Sequence, residues 1–121
     1  SRGQYCPDAP ESGRVFVFEG FMDFLSWMAW GGRDVPGYDV CVLNSVSNLA
    51  QAAGWIGSHR EIGVCFDNDK AGRDAFEAVG ELCPDSFVKD CSQSYGAFND
   101  LNEMYVDLVK RVRSRGSGMK I

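Results

Sequence analysis

Two hydrophobic rhythms alternate along the chain. Residues 15–18, 40–43 and 62–66 are short, nearly continuous apolar runs rich in Val, Ile, Phe and Cys. Runs of this kind read as strands covered on both faces. A weaker run at 86–89 reads as a fourth strand near an edge. Between the runs the period changes to that of a helix. Phe21, Phe24, Leu25 and Met28 form one stripe, stopped by Gly31 and Gly32. Val46, Leu49, Ala50 and Ala53 form a second, ending near Gly54, and Ala71, Ala75, Phe76, Val79 and Leu82 a third, ending at Cys83-Pro84. Leu101, Met104, Tyr105, Leu108, Val109 and Val112 form the last. Strands alternating with helices predict βαβ units, a parallel sheet and right-handed crossovers, hence an α/β fold.

In such a sheet all strand carboxyl ends lie along one edge, where ligands bind. That edge gathers Glu19 after the first run, Asn44 and Ser45 after the second, Asp67 and Asp69 after the third, and Asp90 and Asp100 after the fourth. Asp67 and Asp69 leave their strand one residue apart, so both can aim into the crevice. Carboxylates held close together repel, and a hard divalent cation such as Mg²⁺ relieves that repulsion while taking few protein ligands. Two readings compete for Asp69, which is also well placed to cap the helix starting at Lys70. Asp100 has the same ambiguity, because Asp100 followed by Glu103 has capping-box spacing. Lys70 and Arg73 on the first helical turn could meet phosphate or form a solvated helix face. Asp23, one turn into its helix, could serve the site or hold structure by hydrogen bonding.

Composition narrows the class. The 121 residues suffice for one domain with a core, with 45% hydrophobic and 24% charged residues, as in soluble globular proteins. No apolar run has membrane-spanning length and no signal-peptide pattern opens the chain, so a cytoplasmic location is expected. The five cysteines show no C-x-x-C spacing, which argues against a zinc site and for a reducing compartment. The single His59, in a polar stretch read as a loop, makes a His-based metal cluster or triad a poor fit. A net charge of −5 disfavours nucleic-acid binding by the chain as a whole. Lys110, Arg111, Arg113, Arg115 and Lys120 nevertheless concentrate basic charge near the end. Residues 1–13 read as a linker or expression remnant, 14–112 as the domain and 113–121 as a basic tail.

The segments Glu19-Gly-Phe-Met-Asp23 and Phe66-Asp-Asn-Asp-Lys-Ala-Gly-Arg-Asp74 resemble the Toprim family, in its primase branch, which includes primase-like proteins of plasmids and mobile elements. The resemblance spans about Val15 to about Tyr105. It implies a three-layer, Rossmann-like sheet of order 2-1-3-4 and DNA-primase-like nucleotidyl transfer during primer synthesis. It also implies that Glu19 is the acid/base or metal ligand and that Asp67 and Asp69 hold Mg²⁺ or Mn²⁺, with Gly20, Asp23 and Gly72 in support. The family's third acidic motif matches Phe98-Asn-Asp-Leu-Asn-Glu103 most nearly, placing Asp100 there, although Phe98 replaces a basic residue and Asn102 a second Asp. Implied partners are nucleotides, a nucleic-acid primer-template and further domains of a larger chain, without a membrane. Three alternatives share parts of the pattern. A Toprim nuclease or topoisomerase would use the same acids, and a topoisomerase would add a nucleophilic Tyr, for which Tyr38, Tyr95 and Tyr105 offer no context. A response-regulator receiver would need its acid pair after the first strand, and a non-catalytic module would keep the fold alone.

Overall fold

A computed structural model describes residues 12–119, with side chains through residue 114. Four strands alternate with four helices: β1 Arg14–Phe18, α1 Phe21–Trp30, β2 Asp39–Val42, α2 Leu49–Ile56, β3 Glu61–Cys65, α3 Lys70–Leu82, β4 Phe87–Asp90 and α4 Leu101–Met119. The sheet is wholly parallel, in the order β2-β1-β3-β4. The α/β class and the expected 2-1-3-4 order hold, and β4 lies at an edge, half-exposed along its length.

Because side chains alternate across a strand, β1 feeds two cores. Val15 and Val17 join Ile62, Val64, Leu43 and Phe66 beneath Leu49, Ala52 and Ile56 of α2 and Ala75 and Val79 of α3. On the other face Phe18, Val42 and Cys65 meet Phe24 and Trp27 of α1, Tyr95, and Leu101 and Met104 of α4. Each fully buried side chain of this size contributes about 1.5–3 kcal/mol. The interior strands β1 and β3 are therefore held from both sides, and their carboxyl ends are fixed together.

Several expected faces are rotated. On α1, Phe21, Met22 and Leu25 are exposed, while Asp23 and Ser26 are buried. The reason is α4, which packs across α1 and supplies polar partners: Ser26 Oγ donates to Asn102 Oδ1 at 2.8 Å. On α2, Ala52 and Ile56 face inward in place of Ala50, and the helix passes the exposed Gly54 to stop at Gly57. Leu82 is exposed at the end of α3, and beyond Tyr105 the α4 stripe loses its cover, leaving Leu108 and Val112 in solvent. The segment expected as a tail from residue 113 continues α4 as helix to Met119, and most of the expected linker lies outside the described residues. His59 lies in the α2–β3 loop as expected, but it is buried there. It is 2% exposed, and its Nε2 lies 2.7 Å from Asp39 Oδ2. Among the described residues no helix is long and apolar enough to cross a membrane.

Candidate catalytic site at the carboxyl edge of the sheet

Adjacency of β1 and β3 decides the site. Phe18 stands in register with Cys65, so the residues that follow the two strands emerge side by side. The Asp67 backbone N–H donates to Glu19 Oε1 at 3.1 Å. Glu19 therefore turns away from the helix after it, which has no side-chain cap, and across to the end of β3. This joins two acids that lie 48 residues apart in sequence.

Two residues hold the β4–α4 loop against this point: Asn68, which sequence reasoning passed over, and Tyr95, which it weighed only as a nucleophile. Asn68 Nδ2 donates to the Phe98 carbonyl at 2.9 Å and the Tyr95 carbonyl at 3.2 Å, and its backbone N–H reaches the Asn99 carbonyl. Tyr95, 1% exposed, donates its hydroxyl to the Phe66 carbonyl at 2.7 Å. The loop itself is largely exposed, so it is these bonds that tie it down: Asn68 takes its carbonyls, and Tyr95 satisfies the carbonyl beyond β3. The only sequence signal was Asn68 between two acids, where an amide offers two donors. The consequence is that Asp100 is carried to the edge occupied by Asp67.

The helix ends supply the remaining acids. Asp69 caps α3, accepting from the Gly72 N–H at 2.8 Å. Gly72 is required by space: a Cβ there would overlap the Asp67 carbonyl oxygen and stand 3.0 Å from the Asp67 nitrogen. At Gly20, extended at φ −127°, no comparable crowding exists. Asp100 accepts from the Glu103 N–H at 2.8 Å, the first half of a capping box, while Glu103 Oε1 reaches one residue further back and accepts from the Asn99 N–H at 3.2 Å. Asp23 reaches over from α1 to take the Asn102 N–H at 3.0 Å. Both structural readings, the cap at Asp69 and the cap at Asp100, are thus realised. A cap engages one carboxylate oxygen and leaves the charge of the group in place.

The electrostatics follow. Burial, then the charges of Glu19, Asp23, Asp100 and Asp69, push the Asp67 carboxyl up to about 7. Burial likewise lifts Asp23 to about 6; the Asn102 N–H opposes the rise, and Asp100 and Glu19 add to it. The basic residues expected here are paired elsewhere. Lys70, on the exposed face of α3, bonds Asp74 at 2.9 Å. Arg73 bonds Asp90 at 2.6 Å, and although burial raises the Asp90 carboxyl, hydrogen bonds from Ser92 and Arg73 outweigh it and hold it below its usual range. Asn44 and Ser45 lie exposed at the end of β2. Among the described residues no three acidic side chains come close enough to enclose an ion unaided. That is compatible with Mg²⁺, which takes one or two carboxylates and completes its shell with water and phosphate oxygens.

The family model described as Toprim-like matches residues 16–105, from β1 into α4 and including Glu19, Asp67, Asp69 and Asp100. The chain belongs to the Toprim-like family. No curated protein sequence matches it. Among solved structures, the primase fragment of the bacteriophage T7 primase-helicase protein superposes with a TM-score of 0.62 at 24% identity, over 81% of this chain and 41% of that one. A chain in the structure of the bacteriophage T7 lagging-strand DNA polymerase interacting with primase domains bound to an RNA/DNA hybrid and dTTP gives 0.58 at 22% identity, over 81% of this chain and 50% of that one. The Toprim-like fold is thereby shared with these chains, of which this one spans half or less.

Proposed function

We propose that this Toprim-like domain is the catalytic domain of a DNA-primase-like protein and performs divalent-metal-dependent nucleotidyl transfer in primer synthesis. The observation that carries the proposal is the seating of Glu19 on the Asp67 backbone N–H, which gathers carboxylates around Asp67 so that burial first, and their charges second, lift it to about 7. Apart from burial, mutual repulsion of this kind has no structural use, and a cation removes it. Asp67, with Asp69 and Asp100 beside it, would hold Mg²⁺ or Mn²⁺, which supplies charge neutralisation at the reacting phosphate oxygens. Glu19, held by the Asp67 N–H, serves as the acid/base group. Asp69 and Asp100 bind through carboxylate oxygens that their caps leave unused. Asp23, Gly20 and Gly72 support the loops, and Lys70 and Arg73 reach phosphate only by exchanging their present acidic partners. Nucleotides and a primer-template are the proposed substrates, with template affinity supplied by other domains.

The test is Mn²⁺ titration followed by paramagnetic broadening of backbone amides. Broadening is expected around residues 19–20, 67–69 and 100, and should vanish in Asp67→Asn/Asp69→Asn. Asn remains a good helix cap, so the double variant keeps α3 intact. Unchanged broadening in that variant would refute the assignment. The capping roles of Asp69 and Asp100 favour a second reading, a non-catalytic module, for which wild type should show no localised broadening at all. Primer synthesis is separated from nuclease action by supplying the protein that carries this domain with single-stranded template and ribonucleotides. Short RNA products support the proposal, and template cleavage overturns it.

A further inference from the structure

The β3–β4 register ends at Val64 opposite Asp90, which brings the next residues, Cys65 and Cys91, abreast at the carboxyl edge. Both thiols are free, and both belong to the second core. Their surroundings differ. Cys65 is 2% exposed under the second core, whereas Cys91 is half-buried. Cys91 lines two open grooves. One, of about 280 Å³, runs over Phe16, Gly63 and Phe87, and the other, of about 270 Å³, lies between Trp27, Lys89 and Gln93. Gly63 opens the first groove to the sulfur, since a Cβ at that position would stand 3.3 Å from Cys91 Sγ. An accessible thiol next to a buried one is the arrangement of an attacking and a resolving cysteine.

We propose that Cys65 and Cys91 form a reversible oxidative modification site that closes to an intramolecular disulfide on reaction with a hydroperoxide. The Cys91 thiolate attacks one peroxide oxygen. The O–O bond breaks, hydroxide leaves and takes up the thiol proton as water, and Cys91 becomes a sulfenic acid. Cys65 Sγ then attacks the Cys91 sulfur, the S–O bond breaks, the S–S bond forms, and a second water leaves with the Cys65 proton. Two thiols lose two electrons and one hydrogen peroxide gains them. The bond would tie the end of β3 to the 3-10 turn Cys91–Tyr95, the same loop that Asn68 and Tyr95 already hold. Reduction by a small dithiol reverses it.

The test uses the full chain, reduced, freed of reductant and exposed to a small excess of hydrogen peroxide, then denatured, alkylated and mapped by mass spectrometry. Of the five cysteines, three should remain alkylated, with a mass loss of two hydrogens and one linked peptide pair containing residues 65 and 91. Dithiothreitol should restore five. Cys91→Ser should protect Cys65, while Cys65→Ala should leave Cys91 stranded as sulfinic acid. Because Cys65 is buried and its replacement can unfold the domain, Cys91→Ser at the half-buried position is the deciding variant. A disulfide of Cys91 with Cys6, Cys41 or Cys83, a dimer linked between chains, or Cys91 remaining reduced under peroxide each overturns the proposal.

Discussion

Asp39 and Asp67 stand at opposite edges of the same sheet and meet opposite surroundings. At the amino end of β2, Asp39 is 6% exposed and accepts from the Ser12 N–H at 3.1 Å and from the His59 ring at 2.7 Å. His59 Nδ1 in turn faces the Ile56 and Trp55 carbonyls at 3.0 and 3.1 Å, so both ring nitrogens have polar partners. The chain provides Asp39 with a hydrogen-bonding partner of its own and buries the two together. At the carboxyl end of β3, the chain surrounds Asp67 with further carboxylates and turns Arg73 and Lys70 toward other acids. An acid whose partner is built in belongs to the fold. An acid crowded by others has its charged form disfavoured, and the proposed metal would relieve that.

The largest effect should come from breaking the satisfied edge. Asp39→Ala leaves His59 buried without its carboxylate and should cost about 3–5 kcal/mol in urea unfolding. Asp67→Asn should cost nothing or gain in the absence of metal. Equal losses at the two positions would erase the contrast between the edges.

Space is the next lever. Gly72→Ala places a methyl against the Asp67 carbonyl and should cost about 1–3 kcal/mol while displacing the Asp67 loop. Gly54→Ala, in a helix and with nothing within 4 Å of the new Cβ, should stabilise by about 0.5–1 kcal/mol. Chemical denaturation of the two variants side by side checks the sign.

The pH dependence sharpens the carboxyl edge. Folding raises Asp67 from 3.8 to about 7 and Asp23 from 3.8 to about 6, so the folded chain binds more protons than the unfolded one in this window. The contribution is fully present below the unfolded value and is lost as pH rises through the folded one. Unfolding free energy in chelator should therefore fall between about pH 4 and pH 7, by on the order of 1 kcal/mol once solvent screening of the half-exposed Asp67 is allowed for. Asp67→Asn or saturating Mg²⁺ should flatten the slope, and a rise over the same window would contradict the crowding.

Glu19→Gln tests the pairing itself. If Glu19 mainly repels its neighbours, the variant should melt at or above the wild-type temperature in chelator and gain less from Mg²⁺. A clear loss in chelator with an unchanged metal response would make Glu19 structural. The smallest effect is expected at Lys70, which is exposed with an exposed partner: Lys70→Ala should leave the melting temperature unmoved.

Local pattern carried a great deal of this molecule. Continuous apolar runs marked the strands to within a residue or two, because a strand covered on both faces cannot alternate with polar residues. The change of period marked the helices, and the acids directly after the runs at Phe18 and Phe66 marked the edge at which carboxylates gather. Capping spacing at Asp100 and Glu103 was legible for the same reason, since a cap is made within four residues. The inward face of α1 was only partly legible: Phe24 of its stripe packs inward but Phe21 and Leu25 are exposed, and buried Asp23 and Ser26 make sense only once α4 brings Asn102 against them.

The chain by itself determined which residues could be strands, helices and acids at strand ends, because those depend on neighbours a few positions away. Only the tertiary structure decided which of the acids meet. Placing β1 beside β3 brought Glu19 onto the Asp67 N–H, and Asn68 and Tyr95 carried Asp100 in from the β4–α4 loop. The same packing buried His59 against Asp39 and set Cys65 beside Cys91. Each of these contacts joins residues at least 20 positions apart, and their partners are chosen by the packing of whole elements rather than by any local pattern.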